Sequence, residues 1–496
     1  MRIIRFISKI IIFFLCLIIG AKALDVNRTI GTCLLVITAG LPLWSIFLKN
    51  RIDRWWALIP AWLLPAEVLL ILKLEGGMNE LLGTLVLLAV ASPFAIWYII
   101  KHRKLIHKMN ILTHSLLGTL MFVGLILLYL VAWSMTPFSG VARNLYYGGA
   151  YVGDWKHFPS RTAMNKDPVY LFNPAVNGNP DELSDQYLEI VYDTLPDSKN
   201  HYNSLEDFLK STDTTSFLVI RDDAILYEWY GNGYNRDSIV TSFSVAKSFV
   251  SALIGFAIED GYIHSVEDPI TDYIPELLHR DSRFREITIR HLLTMTSGLK
   301  YVKDGPPWGD DMRTYYAIDL RKSALSVEIE KKPGEEFLYN NYNPLLLGLI
   351  LERATGRSAT EYLEEKIWQP LGMEAPCTWS MDSEKSGFEK MQVGINARAI
   401  DFAKFGKLYL DQGNWKGKQL LSADWISKST SKEYQKDLRK DYLYAWWSLE
   451  NGFAAIGAFG QYICVFPDQK MIVLRFGTAS HLGDVWEDIF TGIAKE

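Results

Sequence analysis

The 496-residue chain has four cysteines and no cysteine pattern. Cys16 and Cys33 sit in apolar runs of the first half, and Cys377 and Cys464 lie far apart in the second. That leaves no disulfide framework and no CxxC metal pair. Two unpaired small hydrophobes are the main reading of the later pair, with one Cys377–Cys464 bridge as the alternative. Basic excess is also missing. The net charge is −5, so the charge balance gives no reason to expect a nucleic-acid partner. None of the nine histidines stands at metal-ligand spacing from another. There is no Gly-x-Ser-x-Gly elbow, no His-Glu-x-x-His and no Walker loop. No metal and no cofactor is expected.

What is present divides sharply. Up to about Trp133 the chain is dominated by apolar runs, Ile10–Ala21, Thr32–Leu48, Trp55–Leu72, Leu81–Ile100 and Leu112–Trp133. A spanning helix needs roughly 17–25 residues, and the last four fit. The first run is short, follows Arg2, Arg5 and Lys9, and ends in Ala21-Lys22-Ala23. It reads as a span, with a cleavable signal peptide as the alternative. Lys and Arg concentrate before the first run, between the second and third, and between the fourth and fifth. By the positive-inside rule the N-terminus is inside and the chain after the fifth span is outside. Trp55, Trp56, Trp97 and Trp133 lie near span ends, where their rings favour the interface. Glu67 lies within the third span; a hydrogen bond to a neighbouring helix or a place near the wet surface is the main reading of it, with a functional intramembrane acid as the alternative. The expected layout is a transmembrane region over 1–136, a linker and irregular lead-in over 137–214, and a catalytic domain over 215–496. The lipid bilayer is the expected partner of the first part, in a multi-pass protein of the cell membrane.

The second half reads as strands at both ends with helices between. Ser216–Arg221 and Ala224–Tyr230 flank Asp222-Asp223 and predict a hairpin. A helix follows from Ser244 to about Asp260, with Phe249, Val250, Leu253, Ile254 and Ala257 at helical spacing and Gly261 as its stop. Asn343-Pro344 predicts the start of another helix, ending before Gly356. Tyr442–Ser448, Phe459–Phe466 and Met471–Arg475 are expected strands, and Gly483–Lys495 an amphipathic helix. This order predicts an α+β domain whose first hairpin and last strands share one antiparallel sheet.

Ser244-Val245-Ala246-Lys247 carries the expected chemistry. A serine hydroxyl is a poor nucleophile and needs a base. Lysine three residues on lies one helical turn away on the same face. The helix start also offers free backbone N–H groups to a developing oxyanion. Lysine must be neutral for this role, which burial promotes. Ser-x-x-Lys recurs at Ser297–Lys300 and Ser429–Lys432, but only Ser244 opens an apolar helix after a hairpin. Tyr339-Asn340-Asn341 adds a phenol able to shuttle a proton and an amide able to orient substrate.

Together with His291 to Leu299, Pro333-Gly334 and Leu347-Gly348, these segments resemble the class C β-lactamase-related serine hydrolases. Relatives in that group include penicillin-binding D,D-peptidases, esterases and 6-aminohexanoate-dimer hydrolases. The resemblance runs from about Thr215 to Phe476. It implies a β-lactamase/transpeptidase-like fold, an antiparallel sheet flanked by helices plus a helical subdomain. It implies Ser244 as the acylated nucleophile, Lys247 and Tyr339 as base and acid, and Asn341 as the substrate-positioning amide. Gly457 would let substrate approach the backbone, and the Ala458 N–H would be the second oxyanion donor. Ala455 departs from the pattern, standing where a lysine or histidine would hold a substrate carboxylate. The run Gly457 to Gln461 resembles the 6-aminohexanoate-dimer hydrolase branch most, which implies a small ester, amide or peptide substrate. A D,D-peptidase and a ligand-binding membrane sensor are the alternatives. Trp308, Trp446 and Trp447 are candidates for the cleft wall, His291 for a structural role, and His481 for a place near the site.

Overall fold

Thr214–Arg221 is a run of β-branched and apolar residues, and all but Arg221 are buried. Such a strand belongs in the middle of a sheet. In the computed structural model it pairs antiparallel with Met471–Gly477 on one side and Ala224–Tyr230 on the other. The full order is Trp447–Ser448, Phe453–Gly457, Gln461–Phe466, Met471–Gly477, Thr214–Arg221, Ala224–Tyr230 and Asn173–Pro174. The first hairpin and the last strands thus share one sheet in an α+β fold. Asp222 and Asp223 both have positive φ, 47° and 70°, the backbone of a two-residue hairpin turn.

Side chains alternate across this sheet. Leu218, Ile220, Ala455, Ile463, Val465, Ile472 and Leu474 face one core, which contains the helices Ala246–Glu259, Tyr342–Thr355 and Ala399–Leu410. Phe217, Val219, Ala454, Cys464, Phe466 and Val473 face a second core, closed by Pro180–Thr194, Leu205–Ser211 and Val485–Lys495. Cys377 and Cys464 are buried and free, as two small hydrophobes.

The structure describes residues 143, 147, 149–174, 180–199, 201–303, 309–434 and 441–496. The chain divides into the units Met1–Ala132 and Trp133–Glu496, and all described residues are in the second. The five apolar runs and Glu67 lie outside the described residues. Among the described residues no helix is long and apolar enough to cross a membrane.

Several boundaries differ from expectation. The lead-in is not irregular: Ser160–Ala163 pairs with Cys377–Ser380 in a second sheet, and Pro180–Thr194 is a 15-residue helix. The helix supplies Tyr187, Leu188 and Val191 to the second core. The helix expected from Asn343 is Tyr342–Thr355, with Asn341 at the cap position. Asn343 is drawn inside, where Ser297 Oγ donates to its Oδ1 at 2.6 Å. The second Ser-x-x-Lys serine therefore has a structural bond. The strand expected from Tyr442 is only Trp447–Ser448, because Ala445 has a positive φ of 61° that breaks the extended chain. The strand expected from Phe459 starts at Gln461. Phe459 and Gly460, at φ 65° and 74°, form the turn that joins it to Phe453–Gly457.

The lead-in should matter to stability. A fragment of residues 205–496 should melt well below one of residues 137–496, because it exposes the Tyr187–Val191 contact face and the Cys377–Ser380 strand edge. Thermal melting of the two fragments checks this, and equal midpoints would contradict it.

Candidate active site

Ser244 lies in the single 3-10 turn Phe243–Val245, which runs into the helix Ala246–Glu259. This helix is buried from Ala246 to Ala257, so Lys247, in its first turn, is buried with it. Lys247 Nζ lies 2.8 Å from Ser244 Oγ and 3.0 Å from the Gln392 carbonyl. It also sits 4.9 Å from the centre of the Tyr339 ring. Burial pushes the Lys247 pKa down to about 7, and the field of Asp311 opposes that shift. Loss of hydration disfavours the ammonium form. Among the described residues no carboxylate forms an ion pair with it, so the amine is substantially neutral above pH 7.

Phe243, the residue before the nucleophile, has φ +42°. A non-glycine residue there is strained, and such strain clusters at functional sites when packing holds it. Here the packing is aromatic. The Phe243 ring stacks on Tyr315 at 6.3 Å and touches Phe459 at 4.8 Å between centroids.

Tyr339 closes the other side. Burial raises its pKa, while the adjacent Ser244 hydroxyl pulls it back. The phenol is therefore neutral at physiological pH and can donate. Trp447 stacks on it at 6.0 Å, and Tyr442 meets it edge-on at 5.8 Å. Asn341 is close by but is engaged elsewhere. Its Nδ2 donates to Tyr301 Oη at 2.8 Å and to Asp311 Oδ1 at 3.2 Å.

Gly457 ends the sheet's cleft strand directly against the nucleophile. A Cβ there would lie 2.6 Å from the Ser242 carbonyl oxygen and 3.1 Å from Ser244 N. Only glycine lets the two backbones approach this closely. Ala458 follows and is exposed. Ala455 is fully buried, so that position presents no cation to the cleft.

Three expectations need correction or a limit. Trp446 is not a cleft residue. It has no exposed surface and packs on Phe405, Tyr409 and Phe453. Its neighbour Trp447 points the other way, onto Tyr339. Trp308 lies outside the described residues. His481 does not join the site; its Nε2 lies 2.8 Å from Asp213 Oδ2. His291 accepts from the Thr288 backbone N–H in a capping box, which is a structural role. Sequence reasoning missed Gln392 and Tyr301. Gln392 acts through its main-chain carbonyl, and residue identity carries no signal for that. Among the described residues no group of His, Cys, Asp and Glu side chains could hold a metal.

The comparisons with known proteins agree with this geometry. A family model described as beta-lactamase matches residues 205–494, more than half of the chain. The 6-aminohexanoate-dimer hydrolase of Paenarthrobacter ureafaciens is 25% identical over 348 residues, covering 64% of this chain and 82% of that protein. Protein flp of Staphylococcus aureus strain MW2 is 27% identical over 178 residues, 32% of this chain and 33% of that protein. A Bacillus anthracis structure assigned as a 6-aminohexanoate-dimer hydrolase superposes with a TM-score of 0.60 at 24% identity, over 73% of this chain and 95% of the other. A β-lactamase-like structure from Bacteroides dorei gives 0.51 at 18% identity, over 59% and 97%. These two likenesses concern the fold. With the family model spanning most of the folded half, the chain belongs to the beta-lactamase family and is a serine hydrolase of that fold.

Proposed function

We propose that the chain is a membrane-anchored carboxylesterase or amidase that works outside the cytoplasm through an acyl-enzyme on Ser244. The single observation that carries the chemistry is the buried Lys247 amine 2.8 Å from Ser244 Oγ. As Ser244 Oγ bonds to the substrate carbonyl carbon, its proton passes to Lys247. The carbonyl oxygen becomes an oxyanion, received by the backbone N–H groups of Ser244 and Ala458. Tyr339 gives its phenolic proton to the leaving oxygen or nitrogen and is reprotonated by the Lys247 ammonium. Water then attacks the acyl carbon, loses its proton to the neutral lysine, and Ser244 leaves with that proton returned.

The cleft walls favour an uncharged substrate. Tyr339 and Trp447 line one side, with the buried Tyr442 packed against both, and Phe459 and the half-exposed Tyr151 meet edge-on at 6.4 Å on the other. Asp311 adds negative field at Lys247, and Ala455 supplies no cation. A substrate ending in a free carboxylate beside the scissile bond, as in β-lactams or D-Ala-D-Ala, would find repulsion rather than an anchor. A short ester or amide with an apolar acyl group fits this cleft. The anchoring and orientation are supported by the five apolar runs and the Lys/Arg distribution between them.

Ser244→Ala should abolish turnover of short-chain nitrophenyl esters, and Lys247→Ala and Tyr339→Phe should each cost at least about a hundredfold in kcat/KM. Full activity in Ser244→Ala would rule the nucleophile out. The pH profile follows from the lysine. Its pKa is lowered, so the catalytic form is lost as pH falls, and kcat/KM should rise through an inflection near pH 7 to a plateau. A profile flat from about pH 5.5 to 8.5 would contradict the base assignment. In membranes from producing cells, the full chain should remain in the pellet after carbonate extraction; release into the supernatant would contradict the anchor.

A further inference from the structure

A buried guanidinium stands behind the site. Arg475 has no exposed surface, and among the described residues it forms no ion pair. A guanidinium buried without a carboxylate is costly unless other groups saturate it. Here the partners are all neutral. Its Nη1 donates to the Gly460 carbonyl at 2.6 Å and its Nη2 to the Thr212 carbonyl at 2.8 Å. Its Nε donates to Thr214 Oγ1 at 2.9 Å, and the Trp486 ring lies 4.2 Å away. Phe459 O is a longer contact at 3.5 Å. Asp213, the acid whose field reaches it, is engaged by His481. Burial lowers the Arg475 pKa to about 9, which leaves the group cationic at neutral pH.

The acceptors identify what the charge holds. Phe459 and Gly460 are the two positive-φ residues of the turn that begins at Ala458. A Cβ at Gly460 would come within 1.9 Å of Arg475 Nη1, and one at Gly477 within 2.8 Å. The chain keeps glycine at both places and so leaves room for the guanidinium. The turn is tied down at two further points. The Phe459 N–H donates to Ser480 Oγ at 2.8 Å, and Gln461 Nε2 donates to the Gly477 carbonyl at 2.7 Å. With its carbonyls pulled toward Arg475 and the Phe459 N–H toward Ser480, the peptide planes of this turn have little freedom. The Ala458 N–H lies in the Gly457–Ala458 peptide, which leads into this turn and adjoins the Ala458–Phe459 plane that Ser480 holds.

We propose that Arg475 is a positioning residue for oxyanion binding: it fixes the turn Ala458–Gln461 from behind, and so aims the Ala458 N–H at the carbonyl oxygen of the substrate. This rests on the reading of Ala458 as the second oxyanion donor. Arg475 itself touches neither substrate nor Ser244. Its removal should therefore weaken the binding of tetrahedral anions while leaving ground-state binding and the proton-transfer pair as they are.

The test uses the full chain carrying Arg475→Lys or Arg475→Met, with thermal melting to confirm folding. The probes are a nitrophenyl ester, a fluorophosphonate and phenylboronic acid. In the last, boron accepts the serine oxygen and becomes a tetrahedral anion, the proton passing to Lys247. Folded variants should lose at least about tenfold in kcat and in phenylboronic acid affinity, with KM within about twofold and the inflection near pH 7 unmoved. Arg475→Lys keeps the charge but not the fork of donors, and decides the matter if Arg475→Met does not fold. A folded variant with parental kcat and boronate affinity would overturn the proposal. So would a loss of kcat with unchanged boronate affinity, or a moved inflection. No fluorophosphonate adduct on the parent would instead overturn the Ser244 reading beneath it.

Discussion

Lys247 carries its amine to a place that water does not reach. An ammonium group there would lose its hydration and, among the described residues, find no carboxylate ion pair to replace it, so the neutral form gains. Everything that makes Ser244 nucleophilic depends on that burial. The helix Ala246–Glu259 provides it by being packed on all sides, unlike an amphipathic surface helix. The Gln392 carbonyl and the Ser244 hydroxyl, at 3.0 and 2.8 Å, satisfy the amine without charging it. Tyr339 covers the remaining side and is itself kept protonated by burial. One low-polarity environment thus depresses the base and raises the acid, which suits the pair to pass a proton in both directions.

A short helix, Asp310–Tyr316, ties these parts together. Near its start Asp311 receives Tyr301 at 2.5 Å and Asn341 at 3.2 Å, and so fixes the segment after Tyr339. Near its end three carbonyls accept from two different chain segments. Thr314 O takes Gln392 Nε2 at 2.8 Å, Tyr315 O takes Lys390 Nζ, and Tyr316 O takes Arg143 Nη1 at 3.4 Å. Donors at a helix C-terminus satisfy its free carbonyls, and here they come from the loop that anchors Lys247 and from the lead-in. The lead-in is consequently part of the framework behind the site. That accounts for a folded unit reaching back beyond residue 205, where the family match begins.

Local signals were the legible ones. Ser244 and Lys247 are one helical turn apart, so their pairing follows from spacing alone once the helix is recognised. The Asp222-Asp223 hairpin and the sheet it shares with the last strands follow from alternation and turn chemistry. Gly457 was legible through resemblance, and the closeness of its backbone to Ser244 N gives the physical reason. Trp446 and Trp447 show where such reading stops. Neighbouring residues on a strand face opposite ways, and a shift of one exchanges core for cleft. Here the positive φ at Ala445 sets the parity, and no pattern in the sequence marks it. The lead-in escaped for another reason. Ser160–Ala163 buries only Ala163, so its strand character comes from pairing with Cys377–Ser380, a partner more than two hundred residues away.

The central claim is that Lys247 is a neutral base at working pH. It is tested most directly by titrating the lysine side chains of selectively ¹³Cε-labelled protein by NMR. Lys390 is also buried, with a pKa lowered to about 7, so Lys247→Arg protein must identify the resonance that belongs to Lys247. A Lys247 signal titrating near pH 7, and lost in the variant, is the result this account predicts. A Lys247 signal that holds its proton to about pH 10, the ordinary lysine range, would contradict it.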